Sequence, residues 1–157
     1  MYEDDFLKLL SEELVVALGC TEPAAIALAA AAARKYMRGE CIKNIKVCAS
    51  PDVIKNAMNV KIAGTDSCGI NLAAAIGALK GHNEKGLEIF TGLDAATLDK
   101  AGEMVKNGKV NVESAKTNEK LYIEVTIESE MSVSKAVVEK THTNVTLVEL
   151  DGRIISK

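Results

Sequence analysis

The sequence predicts an α+β domain in which alanine-rich helices pack on one face of a mainly antiparallel sheet. Three observations carry that reading. Helical spacing and alanine runs dominate the first two thirds of the chain. Strict two-residue alternation dominates the last third. No linker or low-complexity segment divides them, so residues 1–157 read as a single domain. A chain of 157 residues, 48% hydrophobic and 26% charged, carries enough apolar side chain for one sizeable core.

The elements follow in order. Phe6, Leu7, Leu10, Leu14, Ala17 and Leu18 recur every three or four residues, with Lys8, Glu12 and Glu13 off that stripe. This predicts an amphipathic helix over 4–18, capped by Gly19. Thr21 or Glu22 can then serve as N-cap of a second helix, 23 to 37, with Pro23 in its first turn, where a missing N–H costs nothing. That helix is nearly all alanine around its circumference and is expected to lie centrally. Ile45–Val47 reads as a short strand, 51–58 as a short helix and Val60–Ile62 as strand-like. The loop Gly64–Gly69 leads into a third, alanine-rich helix over 70–79. Asp94 and Gly108 bracket a helix over 94–107. Val110 and Val112 alternate with polar residues, as do Leu121, Ile123, Val125 and Ile127, and segments 133–139 and 144–150 are β-rich. Asp151-Gly152 is a hairpin turn before Ile154 and Ile155.

Charge and composition narrow the function classes. Nineteen Lys and Arg against 22 Asp and Glu leave a net charge of -3, and there are two Phe, three Tyr and no Trp. Neither a basic groove nor a stacking platform for nucleic acid is expected. The first residues are acidic where a secretory leader is basic, and the longest apolar run, Ala24–Ala33, is far below the ~20 residues of a membrane span. No membrane association and a cytoplasmic location with reduced thiols are therefore expected.

Cys20 is the sharpest chemical candidate. At a helix N-terminus the partial positive charge favours a thiolate, and Glu22 opposes this if its carboxylate points back, which predicts a modestly lowered pKa; the alternative is a packed small apolar residue. Gly64, Thr65, Ser67 and Gly69 belong to a loop whose N–H groups can hold a carboxylate or phosphate, or form a plain turn. It has the glycine spacing of a P-loop, but Ile70-Asn71 stand where Lys-Ser/Thr is needed. His142 lies between two predicted strands, His82 in a solvated loop. Cys20, Cys41, Cys48 and Cys68 lack the spacing of a zinc site, so no metal site is expected. Glu124 and Glu128 read as the wet face of a strand.

Several segments together resemble one family: Gly19-Cys20-Thr21-Glu22-Pro23 with its alanine helix, Ser50-Pro51 through Lys55-Asn56, Gly64-Thr65 to Gly69 with Ala73–Leu79, and His142-Thr143-Asn144. The string is similar, from about residue 8 to 155, to the N-terminal part of the L-cysteine desulfidase family, related to the iron–sulfur L-serine dehydratase α chain. Two positions depart from the family pattern: Ala63 replaces a proline and Thr141 a glycine.

The resemblance implies the N-terminal domain of a longer lyase of amino-acid catabolism. It would convert L-cysteine to pyruvate, ammonia and sulfide, or L-serine to pyruvate and ammonia. It implies Cys20 as the acid/base residue, with Glu22, Lys55, Asn56, Thr65 and His142 lining or bracing the substrate pocket. It also implies a [4Fe–4S] cluster held by three cysteines of the missing C-terminal half, whose open iron acts as a Lewis acid. No cofactor is expected in this chain, which alone would be inactive. The implied partners are a small amino acid and that missing half or a partner chain. An apolar docking patch, formed partly by the alanine-rich helices, and self-association are expected. The alternative is a non-enzymatic domain that kept the fold and binds a small anion or docks a partner.

Overall fold

The computed structural model describes residues 2–13, 20–39, 41–62 and 69–157. Helix α1 spans Tyr2–Glu13, α2 Thr21–Arg34, α3 Pro51–Ala57, α4 Ile70–Lys80 and α5 Ala95–Lys106. The strands are β1 Ile42–Ala49, β2 Val110–Ser114, β3 Tyr122–Ser129, β4 Val133–Glu139, β5 Val145–Leu150 and β6 Arg153–Ser156. They form one six-stranded sheet in the order β2-β1-β3-β4-β5-β6. The β1–β2 pair is parallel and every other pair is antiparallel. A parallel pair needs a long crossover, and here α3, α4 and α5 supply it. The expected α+β class is what the chain adopts.

The alternation in the last third sets which face is covered. Val47, Val125, Ala136 and Val148 stand opposite one another across four strands, and all are buried. Helix α2 packs on β3, β4 and β5, and α4 packs on α2, β1 and β2. The opposite face carries Lys46, Cys48, Tyr122, Glu124 and Lys135, exposed or half-buried. Period two thus converts into one dry face and one mostly wet face, on which Val137, opposite Glu124, is still buried.

Helix α2 begins at Thr21, with Cys20 as N-cap and Pro23 in its first turn. Every residue from Pro23 to Ala33 is buried. Alanine makes this possible by letting α4 approach closely. A Cβ on Gly77 of α4 would sit 2.1 Å from the Ala27 carbonyl oxygen. Gly81, the left-handed cap of α4 (φ +67), lies against the Arg34 side chain. Since Gly77 meets Ala27 and Gly81 meets Arg34, α4 and α2 run in the same sense.

Some boundaries differ from expectation for local reasons. The strand expected at Ile45–Val47 is eight residues long, because Cys48 and Ala49 pair with both β2 and β3. Val60–Ile62 is not a strand. Val60 N–H bonds back to Ala57 as the exit turn of α3, and a single bridge remains at Lys61. Asp94 caps α5 by accepting from Thr97 N–H at 2.7 Å, as its position suggested. Helix α1 forms, but Leu7 and Leu10 of its stripe are exposed. Leu14, Ala17 and Leu18 of that stripe, and the Gly19 cap, lie outside the described residues. The alanine-rich helices are buried and form no exposed patch. Exposed apolar side chains are instead Leu7, Leu9, Met131, Val133, Ile154 and Ile155, among others.

The helix contact makes a paired prediction. Gly77→Ala forces α4 away from α2 and should cost about 3 kcal/mol or more, lowering the thermal midpoint by roughly 6–12 °C. Gly102 in α5 has nothing within 4 Å of an added Cβ. Gly102→Ala should therefore stabilise by about 0.4–1 kcal/mol, through helix propensity and a less free unfolded chain. Thermal melts of the two variants check both signs.

Candidate functional site

Cys20, Thr21 and Glu22 are consecutive at the start of α2, and the turn between β4 and β5 brings His142 to them. The Cys20 thiol donates to Glu22 Oε2 at 3.2 Å. The Thr21 hydroxyl donates to the same oxygen at 3.1 Å. His142 Nε2 stands 3.4 Å from the other oxygen, Oε1, across 120 residues of sequence. One carboxylate therefore joins three side chains. Its position in the first turn of α2 also suits a negative charge, because the free N–H groups there carry partial positive charge.

The electrostatics correct one expectation. Burial, the largest influence, and the hydrogen bond to the Glu22 carboxylate push the Cys20 thiol above its ordinary 9.0. The N–H groups of Glu22 and Thr21 pull the other way and are outweighed. Cys20 is the N-cap, yet its side chain caps no N–H of the helix. It is thus not the lowered-pKa thiol that a helix N-terminus alone predicts; burial and, after it, the neighbouring anion reverse the sign. For Glu22 itself, burial is again the largest influence and raises the pKa. Bonds from Cys20, its own N–H, Thr21 and His142 together overcome it, so the carboxyl lies below its ordinary 4.5.

Of the other expected site residues, Lys55 and Asn56 are exposed on α3 and make no side-chain hydrogen bond or ion pair among the described residues. Helix α3 starts at Ser50, which is buried and ties it to β3: its hydroxyl donates to Lys120 O at 2.7 Å and accepts from Tyr122 N–H at 3.3 Å. Tyr122 in turn pairs with Glu139, just before the His142 turn. Lys55, Asn56 and His142 therefore belong to the same end of the sheet, although no hydrogen bond joins them. Gly64, Thr65 and Ser67 lie outside the described residues. Gly69 is the N-cap of α4 with φ +108, near Met58 O, a conformation that favours glycine. Asn71 is spent on the fold, donating to Val110 O of β2 at 3.1 Å.

Sequence reasoning missed two features. Thr21 or Glu22 was expected as the N-cap, but Cys20 takes that place and both lie inside the first turn, where the Thr21 hydroxyl serves the Glu22 carboxylate instead. Glu124 is more than a wet-face residue: it accepts from the Tyr122 hydroxyl at 2.9 Å and faces Lys135 at 3.9 Å. Burial and that carboxylate push the Tyr122 phenol well above its ordinary value.

Among the described residues, no three His, Cys, Asp or Glu side chains gather as a metal would need. Cys41 sits just before β1, Cys48 towards its end, and Cys20 at the N-cap of α2. Among the described residues this set does not fit an iron–sulfur cluster; Cys68 lies outside them. A cleft of about 340 Å³ lined by Cys41, Leu79, Lys100, Met104 and Lys109 opens at the start of β1 and shares no residue with the Cys20 group. No described helix is long and apolar enough to cross a membrane.

No family model matches the chain. It is similar along nearly its whole length to curated UPF0597 proteins. A UPF0597 protein of Clostridium perfringens is 46% identical over 150 residues, 96% of this chain and 35% of that protein. One of Clostridium botulinum is 37% identical over 149 residues, 94% and 34% respectively. One of Oleidesulfovibrio alaskensis is 39% identical over 150 residues, 96% and 35%. The chain spans about a third of the length of these relatives.

The lowered Glu22 pKa has a defined consequence for stability. A carboxyl depressed on folding adds stability above its unfolded value, near 4.5, and that contribution is lost as pH falls through the folded value. Urea midpoints at about pH 6 and about pH 3 should differ more for the native chain than for Glu22→Gln, which has no such proton to bind.

Proposed function

We propose that this chain is the N-terminal domain of a lyase that deaminates a small L-amino acid, L-cysteine or L-serine, to pyruvate. One observation supports the reading above the others: a thiol, a carboxylate and an imidazole meet across 120 residues, with Cys20 and His142 on opposite oxygens of Glu22. β-Elimination needs protons moved at carbon and at the leaving group. A hydrogen-bonded set of this kind, half open to solvent, can hold and deliver them. Cys20 is the group that exchanges a proton with substrate, Glu22 orients the thiol, and His142 faces the carboxylate from the far side. Lys55 and Asn56, exposed at the same end, are available to a substrate carboxylate. We place the [4Fe–4S] cluster and the rest of the pocket in the complete protein, beyond these residues, and the protein in the cytoplasm.

A second reading, a partner-docking domain without catalysis, draws on Ile154 and Ile155, exposed on the edge strand β6, and on Met131, exposed in the β3–β4 turn. The two readings part in one experiment. The complete protein, of the relatives' length, is prepared without oxygen and assayed for sulfide, ammonia and pyruvate from L-cysteine and L-serine. Turnover is expected with one of them. Cys20→Ser should cut it by about 10²-fold or more, with circular dichroism and melting unchanged. No product from either amino acid, or a fully active serine variant, overturns the lyase reading.

A further inference from the structure

We infer that Glu22 holds Cys20 in its protonated form, so that Cys20 works as a proton donor and not as a resting thiolate. The catalytic use rests on the lyase reading above; the lock itself is a property of this chain. An ionised carboxylate only accepts hydrogen bonds. Its Oε2 lies 3.2 Å from the Cys20 sulfur, so the contact holds only while the sulfur carries its proton. A thiolate there would be an acceptor facing an acceptor and a negative charge facing another, in a half-buried setting where charges are poorly screened.

The carboxylate is also fixed in place. Thr21 donates to Oε2 and His142 engages Oε1, so Glu22 cannot turn away without breaking contacts at both oxygens. Its side chain is only 17% exposed, which limits its replacement by water. Among the described residues Glu22 is the charged group that acts on Cys20, and His142, from the β4–β5 turn, is the ionisable group of another element that faces Glu22. The raised thiol pKa agrees with this geometry.

In the elimination, the S–H bond of Cys20 breaks and its proton joins the departing sulfide or hydroxide of the amino acid. The thiolate left behind takes a proton from water, to which Cys20 is partly open. No oxidant or reductant enters. The base that removes the substrate's α-proton is then a different group.

The test needs no substrate. The rate of Cys20 alkylation by iodoacetamide is followed against pH by peptide mass spectrometry, on this chain and on Glu22→Gln and Glu22→Asp. The native midpoint is expected above the ordinary 9.0. Glu22→Gln should lower it by about one unit, a roughly tenfold gain in thiolate at a given pH below the midpoint. Glu22→Asp, one methylene shorter, should lower it partway and carries the comparison if the glutamine variant does not fold. A native midpoint below 9.0, or one unmoved in the folded variants, overturns the lock. If the midpoint moves as expected while the complete protein has no lyase activity, the lock stands and the lyase reading fails. If the complete protein turns over but the midpoint does not move, the reverse holds.

Discussion

Helix α2 can lie against α4, side by side on the sheet, only because nothing larger than hydrogen occupies position 77. The Ala27 carbonyl fills the space where a Cβ would be. That contact allows an all-alanine helix face to be buried without a void, since two backbones in near contact replace the bulk that side chains would otherwise supply. It also sets the line of α2, from Arg34 beside the cap of α4 to Cys20 at the other end. The chemistry depends on that line. Glu22 meets His142 because α2 lies over β3, β4 and β5 and its first turn reaches the β4–β5 connection.

At that end, three influences act on one thiol. The free N–H groups of a helix N-terminus favour a thiolate, typically by a few tenths to one kcal/mol of charge interaction at an exposed site. A carboxylate in direct hydrogen-bond contact is closer than the summed partial charges of the turn, and it favours the thiol. Partial burial acts in the same direction, because it penalises whichever form is charged. Two of the three therefore agree, and the sign follows. The same geometry explains why Glu22 can remain ionised while half-buried: three donors surround it, and a satisfied carboxylate tolerates loss of water far better than a bare one.

Much of the fold was legible because its signals are periodic. The alternation from Leu121 to Ile127 names the dry face of β3, and Asp94 and Gly108 bracket α5 to within a residue or two. What was not legible depended on partners distant in sequence. Cys48 and Ala49 have no strong strand preference, yet they are strand because β2 and β3 lie on either side. Val60 has a strong strand preference, yet its N–H is taken by the end of α3. At the site, the residue string singled out Cys20, Glu22 and His142, but it could not report which oxygen each would meet. The sign of the Cys20 shift turned on its burial and on the Glu22 carboxylate facing back to it.

The wet face of the sheet shows the same logic without any helix. Glu124 sits between Tyr122 on its own strand and Lys135 on the next, and Lys135 also faces Glu149 at 3.8 Å. A phenol that donates to a carboxylate is held as a phenol, as the thiol at Cys20 is held as a thiol. The difference is placement. The Tyr122 pair lies on the pleat of a six-stranded sheet, fixed by ladders on both sides, and serves cross-strand pairing. The Cys20 group lies where a helix begins and a turn ends, with backbone that no ladder fixes. A carboxylate that holds a proton donor in place only ties the sheet together in the first setting; in the second, the same contact holds a donor that is partly open to solvent.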